Sequence, residues 1–350
     1  MSYKQLEESQ KLILGFIQKH PNCTTQDLLR GLPLSISIAT LKRYLHSLVL
    51  SDSIVRMGAN KNRTYKLSES YFIRQTIDAE AYFKNEVDER GIKNLFNHLL
   101  IKETLQRISL FTTAELDYLQ SLQSKYEIRV KQLSKTEYRS ELERLAIDLS
   151  WKSSQIEGNT YSLLETEYLL LHKQTAAGKT KDEAVMLLNH KTALDFLFDN
   201  PDFIQPLTVS RIEDMHRLLV DDLNVSLNIR NRAVGISGTN YRPLDNEFQI
   251  KDALVDLCAL VNQKENVLEK VLLVLALISY IQPFSDGNKR TARIISNGLL
   301  LRHGYCPISF RTVDSIEYKK ALLIFYEQNC ITPFKQLFMQ QFEYAVNHYF

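Results

Sequence analysis

The sequence predicts a mainly α-helical protein whose helical core carries only small β-hairpins. Apolar residues recur at helical spacing over long stretches, as in Leu95, Leu99, Leu100 and Leu105, or in Leu163, Leu164, Tyr168 and Leu171. Only 8 prolines and 11 glycines punctuate 350 residues, so long elements run with few breaks. Strand signals are confined to two places. One is Ile54-Val55-Arg56 followed by Thr64-Tyr65-Lys66-Leu67; the other is Ala233 to Ile236 followed by a turn at Gly238.

Composition narrows the class. With 44% apolar and 24% charged residues the chain reads as a globular protein with a sizeable core, and a net charge of +2 says little about partners. The longest apolar run, Val271 to Ile278, is too short to cross a bilayer and reads as part of a buried core helix, so no membrane association is expected. Residues 1–10 are polar and helical in character, unlike a secretory signal. The 4 cysteines are widely scattered without metal spacing, which suits reduced, buried thiols and a cytoplasmic location.

Three regions are expected along the chain: residues 1–70, a helical connector over 71–145, and a larger domain over 146–345. In the first, an amphipathic helix covers about Tyr3 to Lys19 and stops before Pro21. Thr24, with Asp27 three residues on, forms a capping-box pattern for a short helix through Leu29. Leu32-Pro33-Leu34 breaks the chain, and a third helix from Ser37 to Leu48 carries Leu41, Tyr44, Leu45 and Leu48 on one face. A polar hairpin follows, with Gly58 to Asn62 at its tip. Three helices and a wing is the layout of a winged helix-turn-helix, and the stretch is similar to small bacterial modules of that type. It holds ten Lys/Arg against five Asp/Glu. That excess suits DNA, with Lys42 and Arg43 on the third helix and Arg56, Lys61 and Arg63 on the wing as candidate contacts. A protein-docking or dimerisation module with solvated basic residues remains the alternative. Charged runs in the connector, such as Lys131 to Glu143, read as solvated helix faces.

The chemistry lies in Ile281-Gln282-Pro283-Phe284-Ser285-Asp286-Gly287-Asn288-Lys289-Arg290-Thr291-Ala292-Arg293. An apolar helix ends near Ile281 because Pro283 forbids its continuation. Asp286-Gly287 makes a turn, and a new helix starts near Asn288. A glycine-bearing turn before a helix N-terminus offers free backbone N–H groups to an anion. Lys289, Arg290 and Arg293 add positive charge where it opposes the helix dipole, a cost that a bound polyphosphate removes. Asp286 is a hard oxygen ligand suited to Mg²⁺ bridging phosphates. A helix start with solvated arginines is the plainer alternative.

This segment resembles the signature of the Fic (Fido) family, His-Pro-Phe-x-Asp-Gly-Asn-(Gly/Lys)-Arg-x-x-Arg, at every defined position except the first. The resemblance implies AMP transfer from ATP to a Ser, Thr or Tyr hydroxyl of a protein target. It implies that Asp286 holds Mg²⁺, that Gly287, Asn288 and the following amides cradle the phosphates, and that Lys289, Arg290 and Arg293 belong to the nucleotide site. Upstream, Ser153-Ser154-Gln155-Ile156-Glu157-Gly158-Asn159 looks like the family's inhibitory motif, (Ser/Thr)-x-x-x-Glu-(Gly/Asn). There Glu157 would compete with the ATP γ-phosphate for the guanidinium of Arg293. A third stretch, Arg230 to Pro243, is similar to the family's flap, a hairpin that lines the nucleotide cleft and aligns the target by strand pairing, with Ile236, Gly238 and Thr239 as its residues. Self-association into a homodimer is common in the family.

Gln282 stands where the family has its histidine. That histidine is the general base, and a glutamine amide can orient a hydroxyl but cannot take its proton. His216 and His303 are substitutes by residue type only, and both read as structural. Three functional readings follow: an autoinhibited Fic nucleotidyltransferase weakened or silenced at Gln282, a nucleotide-responsive pseudoenzyme, or a DNA-binding regulator whose helical core is a scaffold. The retained Asp286, Asn288, Arg290, Arg293 and Glu157 argue against the last.

Overall fold

The computed structural model describes residues 3–59 and 62–350, with side chains described from residue 8 onward. The chain divides into two compact units, Met1–Thr76 and Ile77–Phe350.

In the first unit, α1 (Tyr3–Lys19) leads to the short strand β1 (Cys23–Thr24) and to α2 (Thr25–Gly31). The Thr24 hydroxyl accepts from Asp27 N at 3.2 Å while the Asp27 carboxylate accepts from Thr24 N at 2.8 Å, so the capping box satisfies donors at both ends of the first turn. Helix α3 (Ile38–Leu50) starts at its Ser37 cap and buries Leu41, Tyr44, Leu45 and Leu48. These pack with Ile13, Ile17, Leu28 and Tyr65 into the unit's core. Strands β2 (Ile54–Met57) and β3 (Thr64–Leu67) pair antiparallel with Ile54 opposite Leu67 and Arg56 opposite Tyr65. β1 adds to the other edge of β3, giving the order β1-β3-β2. Helix α4 (Glu69–Arg74) closes the unit.

The second unit begins with the single turn α5 (Ala79–Tyr82) and an irregular stretch to residue 97. A π-helical turn (Leu100–Thr104) runs into α6 (Leu105–Arg107), followed by α7 (Thr113–Val130), α8 (Lys135–Ile156), α9 (Leu163–His172), α10 (Lys181–Asp199) and α11 (Val209–Val220). Then come α12 (Glu247–Gln263), α13 (Val267–Ile281), α14 (Asn288–Arg302), α15 (Ser315–Gln328) and α16 (Thr332–His348). Helix α13 is the axis of the unit. Every residue from Leu268 to Ile281 is buried, as an all-round apolar helix requires, and α12, α14, α15 and α16 pack around it. Truncating a core residue such as Leu272 to alanine therefore costs about 2–5 kcal/mol. Its buried Glu269 is answered by Leu110 N at 2.6 Å, Ser109 Oγ at 2.9 Å and Lys264 Nζ at 3.2 Å.

The mainly helical fold class holds, and three local details differ from the sequence expectation. Of Leu95, Leu99, Leu100 and Leu105, Leu95 sits outside any helix, Leu95 and Leu99 are exposed, and only Leu100 and Leu105 are buried, because spacing alone does not extend a helix into the irregular stretch before residue 97. On α9 the stripe Leu164, Tyr168 and Leu171 faces outward, while Thr166, Leu169 and Leu170 are buried. Periodicity identifies a helix but not which face meets a neighbour. Residues 231–241 contain no regular strand; among the described residues the only bridge nearby joins Leu95 and Arg242 in parallel. Two short arms without a third strand are marginal as a hairpin, and here the main chain is held by side chains instead. None of the four cysteines is in a disulfide, and all four are buried. No described helix is long and apolar enough to cross a membrane.

Candidate functional site

The site is built where α13 stops and α14 starts. At Ile281 the helix ends, Gln282 adopts φ +51° in the left-handed region, and Pro283 prevents further helical turns. Six residues on, Gly287 caps α14 at φ +82°. A Cβ there would lie 3.3 Å from both His216 Cδ2 and Val220 Cγ1, so the turn requires glycine for conformation and for space. Among the described residues no side chain caps the helix start, which leaves its first N–H groups to solvent or to a ligand.

Asn288 staples the loop from inside. Its Oδ1 accepts from Phe284 N at 2.8 Å, and its Nδ2 donates to Phe284 O at 2.9 Å and to Gln282 Oε1 at 3.0 Å. The Gln282 amide nitrogen donates to Ser279 O at 2.6 Å, so both ends of this side chain are engaged within the loop. From α11, His216 stacks on Phe284 with ring centroids 3.6 Å apart, and its Nε2 donates to Asp286 O at 3.0 Å. Burial is the main reason its imidazole titrates near 4 rather than 6.5, so it is neutral at physiological pH. Arg230 holds the loop from the other end: its N–H donates to Pro283 O at 3.0 Å and its Nε to Gln282 O at 2.6 Å.

Two guanidinium groups are buried beneath the helix start. Arg290 Nη2 donates to Asp286 Oδ2 at 2.9 Å, and Arg290 Nε has no hydrogen-bond partner among the described residues. Arg293 is wholly buried; its Nε donates to Ser153 Oγ at 2.8 Å and its Nη2 to Ser153 O at 3.0 Å. The same Nη2 reaches Glu157 Oε1 at 2.7 Å, while Lys289 Nζ donates to Glu157 Oε2 at 2.6 Å. Glu157 thus lies between two cations at the end of α8, where Gly158 turns the chain at φ +99°. Burial alone would raise its pKa, but the charges of Arg293 and Lys289 and their hydrogen bonds outweigh it and pull the value to about 2. Asp286 stands at the rim with its side chain 62% exposed. No cluster of three or more His, Cys, Asp or Glu able to hold a metal occurs among the described residues. A single exposed carboxylate fits Mg²⁺, which keeps several waters and takes one or two carboxylates beside phosphate oxygens.

The structure thus gathers Ser153, Glu157, Gln282, Asp286, Gly287, Asn288, Lys289, Arg290 and Arg293 around one helix start. Ile236, Gly238 and Thr239 lie on the irregular 231–241 segment, whose N-terminal end is tied to the loop through Arg230. Two residues matter more than the sequence suggested. Arg230 marked only the start of the flap pattern, and His216 read as structural; both hold carbonyl groups of the loop. Only their positions in space reveal this. A polar cavity of about 380 Å³ adjoins Ser285, lined by Arg230, Arg232, Glu213, Glu247 and Lys251 but by none of the residues from Gly287 to Arg293. In the first unit, Lys42, Arg56 and Arg63 line a cavity of about 110 Å³ between α3 and the β2–β3 pair; Arg43 is exposed outside it. Lys61 lies outside the described residues.

Comparison with known proteins agrees with the fold. Residues 206–300 match the model of the Fic/DOC family. The chain is 28% identical over 178 residues to the protein adenylyltransferase Fic of Nematostella vectensis, covering 49% of this chain and 41% of that protein. It is 29% identical over 193 residues to the protein of the same name from Culex quinquefasciatus, covering 53% and 37%. The match therefore spans about two-fifths of the length of these curated relatives. Among solved structures, Fic-1 (residues 134–508) from C. elegans aligns with a TM-score of 0.58 at 22% identity, over 67% of this chain and 72% of that one. A Fic family protein from Desulfovibrio desulfuricans aligns at 0.57 and 20% identity, over 68% and 74%. These likenesses show the fold.

Proposed function

Taking the Fic/DOC domain of residues 206–300 as the premise, we propose that this chain is a nucleotide-binding protein of the AMP-transferring kind, restrained by Glu157. ATP is the substrate and a protein Ser, Thr or Tyr hydroxyl the acceptor. The observation that carries the reading is Glu157 lodged between Arg293 and Lys289 at 2.7 and 2.6 Å. A buried guanidinium needs a counter-charge, and a carboxylate or a γ-phosphate can supply it. ATP and Glu157 therefore compete for one site, and the restraint is released when the carboxylate leaves.

The parts divide the work. Free amides at the start of α14 and the side chain of Lys289 bind phosphate; Arg290 and Arg293 neutralise it. Asp286 would hold Mg²⁺, which neutralises phosphate charge when bound. His216, Asn288 and Arg230 keep the loop in shape. Ile236, Gly238 and Thr239 belong to the segment against which a target strand would pair. Support for this is that residues 231–241 make no main-chain to main-chain hydrogen bond among the described residues; Arg232 O, Gly238 O and Tyr241 N are taken by side chains, and the other main-chain groups there are left to an incoming strand. Proton removal is the missing function: the Gln282 amide has no basicity at neutral pH, and such a base is worth about 10²–10⁴-fold.

A second reading follows from the engagement of Gln282 inside the loop. In it the protein binds ATP without transferring AMP, and occupancy at Arg293 acts as a signal. Lys42, Arg56 and Arg63 would then serve a winged-helix contact with DNA phosphates. Incubation with α-³²P-labelled ATP and Mg²⁺ decides between the two, using the chain itself, Glu157→Gly, Gln282→His and the double variant. Label in the two forms carrying Gln282→His, strongest in the double, supports the transferase. No label in any form, with ATP binding detectable by calorimetry, leaves the sensor.

A further inference from the structure

The stretch between α5 and residue 97 has no part in the reading above, yet it holds a buried ion pair aimed at the 231–241 segment. Arg90 and Glu327 of α15 have side chains only 4% and 0% exposed. Arg90 Nη1 donates to both carboxylate oxygens of Glu327, at 3.2 and 3.3 Å. The Tyr82 hydroxyl donates to Glu327 Oε2 at 2.6 Å, and the guanidinium lies 5.1 Å from the centre of the Phe83 ring. A buried pair this well enclosed fixes the orientation of the guanidinium. Its second arm, Nη2, is thereby directed at Gly238 O, 2.9 Å away.

Gly238 is the tip of the turn, at φ +90°. The residues after it are fastened by the same stretch. Asn240 Nδ2 donates to Asp88 Oδ1 at 2.8 Å, and Arg242 N donates to Asn94 O at 2.9 Å. Tyr241 and Phe96 both stack on Tyr280, at 4.8 and 4.9 Å between ring centroids, and Tyr280 stands two residues before Gln282. The limb before the turn, by contrast, has no main-chain to main-chain bond among the described residues and is held at Arg232 O by the Arg230 guanidinium, at 2.7 Å.

We propose that Arg90 is a positioning residue: anchored by Glu327, it sets the position of the Gly238 turn and hence of the limb that presents a target to the loop after α13. The contact itself stands on geometry; its consequence for AMP transfer rests on the transferase reading. Lysine can keep the ion pair with Glu327, but a point ammonium cannot also reach Gly238 as the planar fork does. Arg90→Lys therefore separates the turn contact from the buried pair. The double variant Arg90→Met/Glu327→Gln removes the contact without leaving an isolated buried charge.

The test uses the full chain with a nitroxide on Ser237→Cys, an exposed position, the native cysteines being buried. Mobility of the label is read by electron paramagnetic resonance, with folding checked by circular dichroism. Both variants are expected to loosen the label relative to Arg90. In the Glu157→Gly/Gln282→His background, Arg90→Lys is expected to lower kcat for label transfer about tenfold, with KM for ATP changed less than about twofold. Superimposable spectra for folded Arg90→Lys and its parent would overturn the contact. Looser spectra with unaltered kcat would overturn the positioning role. No transfer in that background with Arg90 intact would instead defeat the transferase reading, and the spectra would still decide the contact.

Discussion

Replacing Glu157 by glutamine isolates the charge that the site has gathered around one carboxylate. The side chain is 17% exposed and accepts from Arg293 and Lys289 at 2.7 and 2.6 Å, and Arg293 is fully buried. The carboxyl titrates near 2 instead of at its ordinary 4.5. At about 1.36 kcal/mol per tenfold change in proton affinity, this is a stabilisation on the order of 3 kcal/mol. Breaking a buried pair from one side costs about 3–5 kcal/mol by a separate argument, because the other charge stays behind. The acidity is strengthened on folding, so the stabilisation is complete above about pH 4.5 and disappears as pH falls towards 2. Urea unfolding of the ligand-free protein checks this. The only tryptophan, Trp151 on α8, donates to Tyr161 O at 3.0 Å and reports the second unit alone. Glu157→Gln is expected to lose about 3 kcal/mol at pH 7, with the gap to the parent closing as pH is lowered below 4.5. Comparing the two proteins at each pH cancels the other carboxylates. A loss under about 1 kcal/mol at pH 7, or a gap that does not change with pH, would refute the reasoning, since either means the carboxylate is solvated rather than clamped.

Gly287→Ala places a Cβ 3.3 Å from His216 and Val220 at φ +82°, and is expected to cost about 1–2 kcal/mol and to weaken ATP binding measured by calorimetry. His216 is held neutral by burial, so the folded state resists its protonation; stability present above pH 6.5 is lost as pH falls to about 4, and His216→Gln should flatten that window in the same urea experiment. If the cavity between α3 and β2–β3 takes DNA phosphates, Lys42→Ala and Arg63→Ala each lower the slope of log affinity against log salt by about 1 in a fluorescence anisotropy titration, for any duplex sequence.

Much of the architecture is local, and the sequence by itself determines it. The capping box of Thr24 and Asp27, the start of α3 at Ser37, and the stop of α13 before Pro283 rest on residues a turn or less apart. An uninterrupted apolar run from Val271 to Ile278 leaves α13 no choice but the middle of the fold. The loop chemistry is likewise contiguous: Asp286 to Arg293 carries its turn, its free amides and its cations within one stretch. Where pairing partners are far apart, only the tertiary structure decides. Whether Leu164, Tyr168 and Leu171 or Leu169 and Leu170 meet the core depends on how α8 and α10 approach α9. His216 reaches the loop across 70 residues and Arg90 reaches Glu327 across 237. No periodicity or cap encodes such contacts. They come from close packing around α13, which brings remote polar groups to one point where each must find a partner or carry the cost of burial.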